Sequence, residues 1–531
     1  MFNFKKKLFI FFLSLYLFIG SYNSINTGIS FDEKIEELNW NFHVNFIKDL
    51  TNKVFYKKKF DKQKFKKEVK SFVGYGIGSQ LISQPIQFLL KDLIKYNKDI
   101  DDFGAKLLAK HFVIFLFFFT SGIFFYLILK KIINNENFCI VATTIYLTYP
   151  YLFGQSMFNP KDIPFMSVWL ICTYYSFIFF EKLIINNKIE ISSLITLAII
   201  SSFLLSIRIA GILIFIQYII LLILFINIYK QNLSIFLRNN YLKIILFIFI
   251  FFLFTLIFNP IFWVDPSLLI ETIKINSNHF NNVGTNTFGK IMYATDLPST
   301  YLLIWFAVKI PVLILIGIFS IPFTEKIIFS DKKRCILFSN ILLTILVLPL
   351  ILIFKKVHLY DEIRQVMFLL PLIFILALVS LYFLSKNLFY VLGIITVIFF
   401  IVDNIKTNPY QYVWFNLPTR FVDISKNFEL EYQGLSGREL AKSLSQLENQ
   451  NICILANPLH GVRPFLNNTK YNCFDSWQKI DTDYKRPFLA VQNVRNLKKS
   501  LPYNCNSIHE TKFKLLFHKK DLTAGKLLMC D

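Results

Sequence analysis

The chain is broken up by apolar runs of roughly 17 to 22 residues, the length needed to cross the hydrocarbon core of a bilayer. The first covers Leu8 to Ser24, and others lie near 111–129, 138–153, 163–181, 190–207, 209–228, 244–264, 301–320, 336–354, 366–384 and 387–403. A soluble domain has no use for about eleven such runs. They predict a polytopic α-helical membrane protein with about 11 transmembrane helices over residues 1–404. Residues 405–531 differ, because their apolar runs shorten to strand length, as at Ile452–Leu455 and Phe488–Val491, beside a helical stretch from Glu439 to Gln450. That pattern predicts a small α/β C-terminal domain.

Charge gives the orientation. The formal net charge of +23 would suggest nucleic acid in a soluble protein. Here the basic residues fall on alternate loops: Lys130-Lys131, Lys182 with Lys188, Lys230 with Arg238 and Lys243, Lys326 with Lys332-Lys333-Arg334, and Lys386. Cytoplasmic loops carry such an excess, and anionic lipid absorbs more of it, so no nucleic-acid partner is expected. Lys5-Lys6-Lys7 before Leu8 resembles a signal peptide, but no small-residue cleavage site follows. An uncleaved first helix with its amino end inside is preferred. The chain then emerges into a first external loop of about residues 26–105, and an odd span count puts the C-terminal domain outside the cytoplasm.

Within that loop, Lys53 to Lys70 holds nine lysines interleaved with Phe55, Tyr56, Phe60 and Phe65. The segment reads as a solvated face or as a helix resting on anionic lipid. Gly74-Tyr75-Gly76-Ile77-Gly78 is no dinucleotide fingerprint, since no strand precedes it; it lets the chain turn tightly. Cys139, Cys172 and Cys335 sit in or beside apolar runs as packing residues. Cys453, Cys473, Cys505 and Cys530 lie in the C-terminal portion, where an oxidising compartment allows one or two disulfides among three possible pairings.

The polar outliers gather on the external side. They are Asp32-Glu33, Lys161-Asp162, Arg208, Lys309 before Pro311, and the stretch from Lys355 to Arg364 that includes His358. Arg and Lys drawn from several helices suit a lipid phosphate. A nearby carboxylate suits removal of a proton from an acceptor hydroxyl while those cations stabilise the departing phosphate. Asp32 is the expected base. Each cation has a plainer reading, snorkelling to the interface, and His279 as a lone loop histidine reads as solvated. Nothing in the sequence requires a metal or other cofactor.

Phe31-Asp32-Glu33, with Trp40 and His43, resembles the first external loop of GT-C glycosyltransferases, in the protein O-mannosyltransferase and aminoarabinose-transferase branch. Phe158-Asn159-Pro160-Lys161-Asp162-Ile163-Pro164-Phe165 resembles the second-loop motif of a bacterial subgroup. Leu297 to Tyr301, Trp305 and Lys309-Ile310-Pro311 resemble its return to the membrane, and His358-Leu359-Tyr360, Arg364 and Pro371 its later external turn. Asn408 to Tyr412 and Glu431-Tyr432 resemble the start of its C-terminal domain. Ile363-Arg364-Gln365 departs from the Gly-Arg-His often found at that turn.

The resemblance implies an inverting transfer of a sugar from a polyprenyl-phosphate donor to a hydroxyl of a glycan, lipid or protein. It places this in a bacterial cytoplasmic (inner) membrane, at the outer face. It implies Asp32 as base, with Glu33 orienting the acceptor or the structure. Lys161, Arg208, Lys309 and Arg364 are implied at the donor phosphate. His43, Asp162, His279 and His358 are the candidates for acceptor or substrate contact, with Asp162 alternatively paired to Lys161 and His279 alternatively a metal ligand. A multi-span transporter or lipid flippase is the competing reading. Transporters show internal repeats and mid-membrane broken helices, and no repeat is visible here. A non-catalytic scaffold is a third reading.

Overall fold

A computed structural model describes residues 2–57, 75–98, 100–186, 189–276, 283–447, 452–466, 473–476, 487–497 and 504–531, with positions 65, 68, 69, 72 and 471 between them. Much of the lysine-rich segment, Gly74 and His279 lie outside the described residues. The helices to Phe258 are α1 (Phe2–Ser24), α2 (Glu33–Tyr56), α3 (Gly78–Lys98), α4 (Asp102–Ile132), α5 (Glu136–Thr148), α6 (Pro150–Gln155), α7 (Asp162–Asn186), α8 (Ile191–Ile207), α9 (Ile214–Ile228) and α10 (Leu233–Phe258). They continue as α11 (Leu268–Asn276), α12 (Tyr301–Lys309), α13 (Val312–Phe319), α14 (Ile321–Phe329), α15 (Lys332–Phe354), α16 (Leu370–Leu384) and α17 (Lys386–Lys406).

Among the described residues, eight helices are long and apolar enough to span a membrane, and the α12–α13 pair makes a ninth, bent by 116°. The expected run at 301–320 is therefore broken. Pro311 has no N–H to continue the ladder and forces Ile310 into an extended conformation. The freed carbonyls find partners. Tyr149 Oη donates to Lys309 O at 2.7 Å, and Asn416 Nδ2 donates to Ala307 O at 2.6 Å and Ile310 O at 2.9 Å. The expected run at 138–153 is split in the same way, with Tyr149 extended before Pro150. Thr148 O accepts from Asn404 Nδ2 at 2.8 Å, and Leu147 O from Tyr16 Oη at 2.7 Å.

α16 is the axis of the bundle, with every residue from Leu370 to Tyr382 buried. α10 lies at the periphery and exposes Ile245, Phe249, Phe252 and Leu256 outward, as a lipid-facing helix does. Ion pairs join the ends that carry the basic loops. Lys131 and Lys333 both reach Glu181, and Lys182 meets Glu190 at 2.7 Å.

The C-terminal unit contains a five-stranded sheet. Its strands are β3 (Cys453–Asn457), β4 (Phe474–Ser476), β5 (Phe488–Asn493), β6 (Cys505–Phe513) and β7 (Leu522–Cys530), after a separate hairpin of β1 (Gly284–Thr287) and β2 (Lys290–Tyr293). The sheet order is β4-β3-β5-β7-β6. β3 runs parallel to β4 and β5, and β7 is antiparallel to β5 and β6. Disulfides join Cys453 to Cys473 and Cys505 to Cys530, and the other three cysteines are free. The sheet has its own core, including Ile454, Leu455, Leu489 and Leu527, with Leu440 and Leu444 of α18 (Gly437–Leu444) over it. Tyr412, Trp414, Phe415 and Phe428 instead join the core of the helix bundle.

Candidate active site

Asp32 stands immediately before α2, at the end of a tightly held segment. A Cβ on Gly28 would meet Leu435 O at 2.1 Å, so only glycine lets the chain pass that close. Phe31 N donates to Gln433 O at 2.8 Å, and His460 Nε2 lies 3.0 Å from Ser30 O. Glu33 closes the turn, its carboxylate accepting from Ser30 N at 2.7 Å and lying 2.9 Å from His111 Nε2. It is fully buried against α4 and does not line the cavity.

Helical spacing divides the carboxylates of this first turn into two sets. Asp32 and Glu36, four residues apart, share the face toward a cavity of about 360 Å³. Glu33 and Glu37, also four apart, face α4. Glu37 meets Lys110 at 2.5 Å and Lys106 at 2.7 Å. Burial works to raise its carboxyl, but the two ammonium groups prevail and hold it down at about 2.

The cavity brings together Asp32, Glu36, Tyr75, Lys161, Asp162, Arg208, His358, Tyr360, Arg364 and Gln365. Pro160, Ile209, Leu352 and Phe368 supply apolar wall. Gly76 lets the segment carrying Tyr75 approach, since a Cβ there would meet Ser206 O at 2.2 Å. Lys161 precedes α7. It contacts Glu36 Oε1 at 3.0 Å and lies 4.2 Å from the centre of the Tyr75 ring. Asp162, buried at the start of α7, accepts from Asn159 Nδ2 at 3.0 Å, from Arg364 Nε at 2.6 Å and from Arg208. Arg208 ends α8 and also donates to Gln365.

Arg364 is the hub. It pairs with Asp32, with Asp162 and, at 3.3 Å, with Asp361. Asp361 and Glu362 have φ of 54° and 67°. Two successive left-handed residues that are not glycine cost roughly 1–2 kcal/mol each. They are held there because Asp361 N donates to Thr285 Oγ1 at 2.9 Å and Glu362 N to Tyr301 Oη at 3.1 Å. From the C-terminal unit, Arg495 pairs with Asp361 and lies 3.7 Å from Glu429.

The cavity is therefore not the bare cationic pocket the sequence suggested. Lys161, Arg208 and Arg364 are balanced by Glu36, Asp162 and Asp32. Lys161 and Arg208 are partly exposed, at 16% and 19%, while Arg364 is enclosed at 8%. Asp32 keeps 35% of its side chain exposed. Burial raises the phenols of Tyr75 and Tyr360 above their ordinary range, so both enter as neutral hydrogen-bonding groups.

Lys309 does not reach this cavity. It is fully buried 2.9 Å from Glu362 Oε1, and its ammonium sits 3.9 Å from the centre of the Phe415 ring and 5.2 Å from that of Tyr151. A lysine interrupting an apolar run has here found an acid rather than the interface. Burial pushes Glu362 up to about 8, against the pull of Lys309. His43 is also elsewhere. It is buried with Nδ1 2.9 Å from Asn39 O, and burial lowers its imidazole to about 4. His358 does line the cavity. Glu36, Tyr75, Asp361, Gln365 and Arg495 were given no role at the site from sequence. Only Glu36 carried a signal, its four-residue spacing from Asp32.

Among the described residues, no group of three His, Cys, Asp or Glu is arranged to hold a metal ion. No protein-family model and no curated protein matches the chain. Among solved structures, ArnT from Cupriavidus metallidurans bound to undecaprenyl phosphate is similar at a TM-score of 0.42 and 10% identity, over 84% of this chain and 87% of that one.

Proposed function

We propose that this protein is a membrane glycosyltransferase of the GT-C type, moving a sugar from a polyprenyl-phosphate donor to an acceptor hydroxyl at the outer face of the membrane. The observation that carries the reading is the placement of a partly exposed carboxylate, Asp32, in one cavity with two partly exposed cations, Lys161 and Arg208. That cavity opens at the ends of α1, α7, α8 and α16 remote from the basic loops, which the positive-inside rule assigns to the cytoplasm.

The donor phosphate enters an electrically balanced site, so it binds by exchange. Lys161 leaves Glu36, and Arg208 turns its free edge from Gln365, each making a charge-assisted contact with a phosphate oxygen. Arg364 stays in place and holds Asp32 and Asp162 in register. Asp32 takes the proton from the acceptor hydroxyl as its oxygen attacks the anomeric carbon. The bond from that carbon to the phosphate oxygen breaks on the opposite face, the configuration inverts, and polyprenyl phosphate departs with its new charge on Lys161 and Arg208. The apolar wall of Ile209, Leu352 and Phe368 suits the first isoprene units.

The test supplies purified protein with a radiolabelled polyprenyl-phosphate hexose and a membrane extract. Transfer by the wild type and its fall by about 100-fold or more in Asp32→Asn is the expected result. Equal transfer by both would remove Asp32 from the mechanism, and movement of lipid without cleavage would favour a flippase.

A further inference from the structure

A second cavity, of about 380 Å³, lies where the segment leaving α1, the end of α3 and the start of the C-terminal unit meet. It shares no lining residue with the first. Its charged groups are Lys98, Arg438, Lys442 and Glu439. Glu439 is engaged, accepting from Tyr410 Oη at 2.6 Å. Unlike the cations of the first cavity, those here have no carboxylate partner within 4.0 Å among the described residues. Lys98 and Arg438 converge instead on one neutral oxygen, Asn26 Oδ1, at 2.5 Å and 3.5 Å. Burial, then the neighbouring Arg438 charge, lowers the Lys98 ammonium below its usual range. Arg438 also closes the end of α1, donating to Ile25 O at 3.2 Å and Thr27 O at 3.1 Å.

The surroundings identify the class of anion. Asn26 and Asn408 mark the points where α1 and α17 have just left the bundle, which is the head-group level of a bilayer. α1 exposes Phe18 and Tyr22, about two turns and one turn before Asn26, and α3 exposes Leu93 and Tyr96 in its last turns before Lys98. Excess positive charge next to outward-facing apolar side chains matches an amphiphile with an anionic head.

We propose that this second cavity binds the phosphate of an anionic membrane phospholipid, gripped by Lys98 and Lys442 with Arg438 behind them. The site is separate from the transfer cavity and does not depend on the transfer reaction.

The test uses full-length protein purified in detergent, stripped of lipid, and given phosphatidylglycerol, a phosphate-free galactolipid or inorganic phosphate, with bound species read by native mass spectrometry. The wild type should keep one more phosphatidylglycerol per chain than Lys98→Ala/Lys442→Ala, whose affinity for that lipid falls about tenfold. Lys98→Arg/Lys442→Arg should restore it. If the alanine pair unfolds at a lower temperature, Lys98→Gln/Lys442→Gln, which keeps more of each stem, takes its place. Equal retention by the variants, equal retention of the galactolipid, or binding of inorganic phosphate without lipid would each overturn the proposal.

Discussion

Asp32 and Glu33 are adjacent, yet about 100° of helix rotation sends one carboxylate into the cavity and the other against His111 of α4. Lys161 and Lys309 diverge in the same way. Both were expected at the phosphate, but Lys309 is locked to Glu362 inside an aromatic box. Burial already favours the protonated form of Glu362, so removing Lys309 leaves a buried polar carboxyl without its partner, at roughly 1–3 kcal/mol. Lys309→Ala should therefore lower the unfolding temperature in detergent and leave donor KM unchanged in the folded fraction. A raised donor KM at unchanged stability would contradict this. Lys309→Met/Glu362→Leu should recover most of the loss. Lys161→Ala should instead raise donor KM about ten- to 100-fold, the worth of a charge-assisted contact of about 1.5–3 kcal/mol, with stability held. The sequence showed each lysine's position but not its partner. Glu362 is 53 residues beyond Lys309 and Glu36 lies on another helix, and no local spacing encodes either meeting.

At the scale of elements, the turn before α16 carries the site. Asp361 links Arg495 of the C-terminal unit to Arg364, and Arg364 holds Asp32. Arg495→Ala should slacken that chain and lower kcat about tenfold or more, as small misplacements do, with donor KM changed far less. An unaltered kcat would show that the turn stands without the C-terminal unit. A second test concerns Glu431, buried and accepting from Tyr412 Oη at 2.9 Å and Leu435 N at 2.6 Å. Burial raises its carboxyl to about 7. The folded form then holds a proton that the unfolded chain releases near its ordinary pKa of about 4.3, so stability falls as pH rises from about 4 to 7. Glu431→Gln keeps both hydrogen bonds and should flatten that slope, adding about 4 kcal/mol by pH 8 at about 1.4 kcal/mol per unit. Identical pH profiles of unfolding would contradict it. The broken helices were half legible. Pro311 and Pro150 marked the places, but the Asn416 and Tyr149 contacts that make the breaks tolerable come from elsewhere in the chain.

For the whole molecule, the apolar runs announced the membrane, because runs of bilayer length have no other use at this density. Strand-length runs likewise announced the sheet, where β3 and β5 lie at the stretches from Ile452 and Phe488. The cavity was legible only as a list of polar outliers on one side of the bundle. That the list would be charge-balanced was not, since balance depends on tertiary pairing. The paired cysteines give a topology test. After reduction, a membrane-impermeant thiol reagent applied to intact cells should label Cys453, Cys473, Cys505 or Cys530 and spare Cys139 and Cys172, which are buried. Protection of all four would place the C-terminal unit inside. Whether one cavity unites the base and the phosphate ligands can be seen by cryo-electron microscopy of the purified protein with a polyprenyl phosphate. The phosphate should lie between Lys161 and Arg208, beside Asp32, with Lys161 released from Glu36. A phosphate bound away from Asp32, with the Lys161–Glu36 pair and the Arg208–Gln365 contact intact, would overturn that placement.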